Sequence, residues 1–250
     1  MKDIVIGLGE IGKPIFKLIS KSFKTVGHDK NSKLIPKSNQ KFIDLPTRFL
    51  HICIPYNKSF DLNVKKLTKK FSPKGIIIHS TLQPKSTSKL QTKFEIPIIY
   101  SPIRGVHKRM LYDLKRYTKF FSIEKNAPNA KWACSQYSRL MKKVHVKTKL
   151  VSSPLTLELA KIVCDTSYYG WLINYAQISQ MIATKHNIDY DEMWSFADEI
   201  HKFLGNRPKM FPGYIGGHCV IPNLELLNND SLNKINKINY SFKMEDSNKK

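Results

Sequence analysis

The sequence predicts an α/β protein, a doubly wound parallel sheet followed by a small all-helical domain. Three observations predict it. Short apolar runs of strand length alternate with amphipathic stretches through the first part of the chain. A glycine-rich turn, Gly7-Leu-Gly9-Glu-Ile-Gly12, joins the first apolar run to the first amphipathic stretch. Beyond about residue 150 the strand-like runs give way to apolar and aromatic residues at helical spacing. A chain of 250 residues is long enough for each part to bury a core of its own.

Residues 4–6 read as the first strand, the stretch around Ile15 and Leu18 as its helix, and 25–26 as a second strand ending at Asp29, so a βαβ unit opens the chain. Further strands are expected at 49–54, 75–79, 96–100 and 119–123, with intervening segments able to cross the sheet, which makes parallel pairing the economical arrangement. Residues 155–186 hold apolar and aromatic side chains at helical spacing without a proline and predict one long helix. A second helix, about 190–204, precedes the loop Pro212-Gly-Tyr-Ile-Gly216-Gly217-His218-Cys219. The expected organisation is therefore 1–150, 151–228 and a polar tail at 229–250, mobile over 245–250, where Asn, Asp, Ser and Lys dominate.

Composition excludes several classes. No apolar run approaches the roughly 18 to 20 residues of a membrane span, and the N-terminus lacks the apolar stretch and cleavage site of a signal peptide, so a cytoplasmic protein without a membrane partner is expected. The net charge of +23 comes from Lys dispersed along the chain, not clustered as a nucleic-acid footprint requires, and suits a nucleotide-bearing small molecule equally well. Cys53, Cys134, Cys164 and Cys219 show no Cys-x-x-Cys spacing, and His51, His79, His145, His186 and His201 no His-x-x-x-His, so neither a disulfide framework nor a metal site is expected.

The glycine turn carries a definite chemistry. Lying between an apolar strand and an amphipathic helix, with Asp29 about 20 residues on, it reads as the phosphate-binding turn of a Rossmann domain. Gly7 permits the tight turn, Gly9 lets backbone approach a pyrophosphate, Gly12 allows close helix packing, and Glu10 and Ile11 lie where the helix N-terminus supplies amide donors. Asp29 is placed to bind the adenosine ribose hydroxyls and to repel a 2′-phosphate, which favours NAD, while Lys30 and Lys33 keep NADP open.

In the second part, Glu158, Lys161 and Asp165 follow at offsets of three and four and share a helix face, either as an ion-pair stripe or as the lining of a site. That face continues to Tyr168 and Tyr169. Cys219 follows two glycines and His218, where its thiol is either accessible and activated by a neighbouring imidazolium or simply packed.

Taken together, Gly7 to Gly12, Ser80-Thr81 with Pro84, Glu158-Leu-Ala-Lys161 and the Gly-Gly-His-Cys219 loop resemble the UDP-glucose/GDP-mannose dehydrogenase family, over nearly the whole chain. The resemblance implies an NAD-dependent oxidation of an alcohol of a sugar or nucleotide sugar. Cys219 would act as nucleophile toward the aldehyde formed first, and Lys161 would stabilise the substrate oxyanion. Thr81 would orient the nicotinamide or a water, and Glu158 would hold Lys161. Pro55, Ser80 and Thr81 join the cofactor-facing set; Arg104, His107, Gly216, Gly217 and His218 are expected at the substrate. A homodimer through the long helix is also implied.

Departures from the family pattern accompany the matches. Asp165 stands where the family has Asn, and Asn223 where it has Asp, so an amide and a carboxylate have exchanged places. The segment that supplies the family's thioester-hydrolysing glutamate reads Ser101-Pro-Ile-Arg104-Gly-Val-His107, leaving Asp165 or His107 as the base. The family's third domain, which grips the nucleotide, is not expected in this short form. Two alternatives remain: a single-step hydroxy-acid-type dehydrogenase using Lys161 and Asp165, and a noncatalytic NAD-binding subunit.

Overall fold

The computed structural model describes residues 1–203, 212–217, 219–226 and 230–247. The chain divides into two compact units, Met1–Lys161 and Ile162–Lys250. Among the described residues no helix is long and apolar enough to cross a membrane.

The first unit is built on seven strands: β1 (Lys2–Ile6), β2 (Thr25–His28), β3 (Thr47–Ile52), β4 (Gly75–Ile78), β5 (Ile98–Tyr100), β6 (Lys119–Ile123) and β7 (Thr148–Leu150). They form one sheet in the order β2-β1-β3-β4-β5-β6-β7. Strands β1 to β5 are parallel. The parallel, doubly wound sheet expected is thus present, with one exception: β6 runs antiparallel to β5, and β7 lies parallel to β6. Strand direction is invisible to a period-two apolar pattern, which reads the same from either end. Strand β7 was not expected at all: its residues are exposed or half-buried, as befits an edge, and carry no apolar run.

Consecutive side chains along the central strands enter opposite layers. Val5, Phe49, Ile77 and Ile99 face α1 (Gly12–Ile19), α4 (Met110–Arg116) and α5 (Ala130–Lys143). Ile4, Leu50, Ile52, Ile76, Ile78 and Tyr100 face α2 (Phe60–Phe71), α3 (Ser86–Gln91) and α6 (Pro154–Ala160). Burial on both faces explains why these strands read as unbroken apolar runs, each such side chain contributing about 1.5–3 kcal/mol. Because α6 buries Leu157 in the second of these layers, the first unit ends at Lys161 and not at residue 150. Strand order reverses about β1, with β2 on one side and β3 on the other, and this opens a crevice beyond the carboxyl ends of β1 and β3.

The second unit is helical. The expected helix over 155–186 is α6, then a π-helical turn at Lys161–Ser167, then α7 (Tyr168–Lys185). The helix expected at 190–204 is two, α8 (Tyr190–Ser195) and α9 (Asp198–Phe203), with Leu204 outside the described residues. After α10 (Val220–Glu225) comes the largest departure: in place of a polar tail, α11 (Asp230–Ser247) packs along α7 and buries Ile235, Asn239 and Phe242. Residues 248–250 of the expected tail lie outside the described residues. Gly170 allows the approach, since a Cβ there would meet Ile235 and Val220 at 3.3 Å.

Candidate functional site

The glycine turn has the geometry that its sequence requires. Gly7 adopts φ +82° and donates its N–H to the His28 carbonyl at 2.9 Å, and a Cβ on it would press on the Cys53 carbonyl oxygen at 2.9 Å. A Cβ on Gly12 would lie 1.6 Å from the Gly7 carbonyl oxygen, so only glycine lets α1 start this close to the turn. Gly9 differs: a Cβ there meets nothing within 4 Å, so its missing side chain leaves open space over the backbone. At the tip of β2, Asp29 accepts the Leu8 N–H at 2.6 Å and the Asn31 N–H at 2.8 Å. Each carboxylate oxygen keeps a lone pair for a further donor. Open backbone at Gly9, the N-terminus of α1 and a fixed carboxylate one strand away fit a dinucleotide pyrophosphate and ribose.

The neighbouring strand ends complete this edge of the sheet. The Ser80 hydroxyl donates to the Ile54 carbonyl at 2.6 Å, joining the ends of β4 and β3; Pro55 is exposed and Thr81 half-buried. Glu158 departs from its expected role. Fully buried, its carboxylate accepts the Lys85 N–H at 2.6 Å, the Thr87 N–H at 2.8 Å and the Thr87 hydroxyl at 2.7 Å. It therefore fixes the start of α3 against α6, a role that its expected one did not include. Burial pushes its carboxyl up from the usual range, and the hydrogen bonds from Thr87 and Lys85 pull the other way.

Two of the expected substrate residues lie in the loop after β5. Arg104 donates from Nη2 to the Thr118 carbonyl at 2.7 Å and lays its guanidinium over the Phe120 ring at 4.9 Å, contacts that hold its own loop. His107 pairs through Nδ1 with Glu10 Oε2 at 2.7 Å. The sequence reading gave these two residues separate partners, cofactor and substrate, and the fold brings them together.

Beneath this loop runs a buried polar chain that sequence reasoning missed. Lys119, 6% exposed, donates from Nζ to the carbonyls of Ser101 at 2.6 Å and Pro102 at 2.9 Å. Burial brings its ammonium down to about 7, with Arg104 and Lys161 acting in the same sense and Cys53 opposing. His79 donates from Nδ1 to the same Ser101 carbonyl at 3.1 Å, so its Nε2 must accept from His51 Nδ1 at 3.0 Å. Both imidazoles are neutral, burial pushing His51 to about 4 and His79 well below its ordinary value. A signal for Lys119 did exist, because it shares a strand face with Phe121 and Ile123. The His51–His79 contact crosses two strands and leaves no trace in spacing. Burial also pushes the Cys53 thiol up to about 12, which leaves it protonated and inert.

The second unit holds Asp165, within the π-helical turn, and the glycine loop with Cys219. Cys219 immediately precedes α10 and Asn223 follows one turn later, so both occupy one helix face. Gly217 has φ +74°, and a Cβ there would meet nothing within 4 Å; one on Gly216 would touch only the Tyr214 ring, at 3.7 Å. His218 lies outside the described residues.

This loop is held by the helix expected to be a tail. Asn239 of α11 accepts the Ile215 N–H at 2.7 Å and donates to the Ile215 carbonyl at 3.1 Å, the two bonds that a paired strand would make. Gln177 donates to Asn239 Oδ1 at 3.1 Å and to the Gly213 carbonyl at 2.7 Å, and Asn174 donates to Gln177 Oε1 at 2.7 Å. All three amides are fully buried beside the apolar cluster of Ile215, Leu224 and Ile235. Among the described residues no group of three or more His, Cys, Asp or Glu side chains could hold a metal ion.

No protein-family model and no curated protein matches the sequence. Solved structures do match in fold, nucleotide-sugar dehydrogenases among them. A UDP-D-ManNAc dehydrogenase from Pyrococcus horikoshii superposes with a TM-score of 0.78 over 97% of this chain and 69% of its own, at 19% identity. The UDP-N-acetyl-mannosamine dehydrogenase Cap5O from Staphylococcus aureus gives 0.68 over 97% of this chain and 68% of its own, also at 19%. An NDP-N-acetyl-D-galactosaminuronic acid dehydrogenase from Methanosarcina mazei Go1 gives 0.70 over 99% and 67%, at 15%. At such identities the likeness is one of fold, and function must be argued from the site.

Proposed function

We propose that this protein is an NAD-dependent oxidoreductase that oxidises an alcohol of a sugar or nucleotide sugar. The observation that carries the reading is the crevice beyond β1 and β3, with open backbone at Gly9, the N-terminus of α1 and the Asp29 carboxylate arranged as a dinucleotide requires. Asp29 favours NAD over NADP by charge. Bound there, NAD supplies the hydride acceptor. Lys161 stabilises the negative charge that develops on the substrate oxygen, and Thr81 orients the reacting groups. Cys219 is the nucleophile toward the aldehyde, with Asp165 and Asn223 supplying one carboxylate and one amide. Gly216 and Gly217 leave room for substrate beside it. A homodimer is supported by the exposed side chains of Tyr168, Tyr169, Trp171 and Tyr175, an aromatic surface on α7.

The loop after β5 favours a second reading, oxidation in a single step with Lys161 and Asp165 and without Cys219. Residues 101–107 hold no carboxylate, Ile103 is buried, and Arg104 is committed to Thr118. One experiment separates the two: NADH formed per molecule of nucleotide sugar or hydroxy acid, for the unmodified chain and Cys219→Ala. Two NADH per substrate, abolished by Cys219→Ala, supports the first reading. One NADH that survives the substitution supports the second, and NAD binding without turnover points to a noncatalytic subunit.

A further inference from the structure

The charge of the chain is divided unevenly between its two units. Met1–Lys161 holds 33 Lys and Arg against 9 Asp and Glu, whereas Ile162–Lys250 holds 9 against 10. A general enrichment in Lys would raise both units alike, so the excess belongs to the first. Dispersion of these lysines along the sequence argued against a nucleic-acid footprint, but distance along the sequence is not distance on the surface. Helix α2 turns Phe60 and Val64 into the core and leaves Lys65, Lys66, Lys69 and Lys70 exposed. Lys65 with Lys69, and Lys66 with Lys70, stand four residues apart, a rise of about 6 Å, so the four form a double row. Like charges at this spacing cost the helix a few tenths of a kcal/mol per pair, a cost that an anion laid across them removes. The one carboxylate of the helix, Asp61, is paired with Lys93 at 2.6 Å.

The arrangement favours a polymer over a membrane. A planar bilayer meets one layer of the sheet and gains hold from apolar side chains, of which the outward face of α2 offers Leu62 alone. On the opposite layer, Lys13 and Lys17 of α1 and Lys131 and Lys142 of α5 are exposed as well, within reach of a flexible polyanion that passes from one layer to the other. Lysine contacts phosphates as a point charge, and the aromatic residues of α2, Phe60 and Phe71, belong to the core layer and offer no base a stacking platform. We propose that the first unit binds single-stranded nucleic acid through its phosphate backbone, without sequence preference, and that α2 forms part of the contact.

The test is fluorescence anisotropy of labelled single-stranded DNA and RNA of mixed sequence, titrated with the full chain from about 50 to 200 mM salt. Three proteins are compared: the unmodified chain, the variant Lys65→Gln/Lys66→Gln/Lys69→Gln/Lys70→Gln, and a control, Lys185→Gln/Lys202→Gln/Lys234→Gln/Lys237→Gln. The control loses the same four charges from exposed positions of the second unit. For the unmodified chain the logarithm of affinity falls linearly with the logarithm of salt. Losing four phosphate contacts makes that slope shallower by about 3 in the α2 variant and weakens binding at least about tenfold near 0.1 M salt. The control stays within about twofold, because charges outside the contact are screened. Binding of DNA or of RNA supports the proposal, and a preference between them identifies the natural polymer. Equal weakening in both variants overturns it and leaves net charge alone as the cause. No binding of either oligonucleotide, or binding only to vesicles containing phosphatidylserine, overturns it too.

Discussion

Replacing Lys119 with Met tests whether the buried ammonium under the loop after β5 is as costly as its surroundings imply. Met keeps the apolar stem and removes the charge. In the folded protein the Lys119 ammonium titrates near 7, against an ordinary value of 10.5 that the unfolded chain retains. Between those values the unfolded state binds one more proton than the folded state, so stability rises with pH by at most about 1.4 kcal/mol per pH unit. With the folded group half-titrated at the lower end, the gain from pH 7 to 9 comes to about 2 kcal/mol. Below pH 7 both states hold the proton and the dependence on Lys119 vanishes. The variant also strips a donor from the Pro102 carbonyl, at a cost of about 1 kcal/mol, but this shifts the comparison by a constant and not by a slope. Urea denaturation of both proteins at pH 7, 8 and 9 gives the stability of the unmodified chain minus that of Lys119→Met, in which the other titrating groups cancel. The expected difference grows in favour of the unmodified chain as pH rises. A flat difference would refute the reasoning and show an ammonium with full access to water or a counterion.

Other substitutions probe separate parts of the structure. Gly12→Ala should disrupt the turn and abolish NAD binding, because its Cβ has no room beside the Gly7 carbonyl; Gly9→Ala should fold normally and only weaken binding. A calorimetric titration beside a thermal melt separates these outcomes. Glu158→Ala strands the Lys85 and Thr87 amides and should cost about 3 kcal/mol in denaturant titrations, a loss under 1 kcal/mol counting against the anchoring role. Asn239→Leu should lower turnover through the Cys219 loop while NAD affinity, a property of the first unit, stays unchanged; unchanged turnover would mean that the loop holds its place without α11.

The sequence carried the first unit far better than the second. The strands buried on both faces, such as Ile76 to Ile78, announce themselves as apolar runs, and the glycine turn announces itself by spacing, although the backbone that crowds Gly7 comes from as far away as Cys53. The direction of β6 and the existence of β7 depend on partners that no local pattern encodes. In α11, the Asn and Lys content hid a stripe at Leu232, Ile235, Asn239 and Phe242, spaced by three and four residues as a buried helix face requires. Composition argued for a tail where periodicity argued for a helix, and periodicity was the better guide. In the candidate site, the turn geometry of Gly7, Gly9, Gly12 and Asp29 was legible because their spacing encodes it. Lys119, His79, Gln177 and Asn239 were not, because what matters is their burial against distant backbone. Helical spacing left Glu158 open between an ion-pair stripe and the lining of a site, and could not show the demand from the amides at the start of α3 that its carboxylate accepts.

The central claim is that the crevice beyond β1 and β3 is a nicotinamide-dinucleotide site. Titration of the full chain with NAD, alongside Gly9→Val, tests it most directly. The account predicts one NAD bound per chain and loss of that binding when the valine side chain fills the open space over the turn. No binding by the unmodified protein, or binding indifferent to the valine, would contradict it.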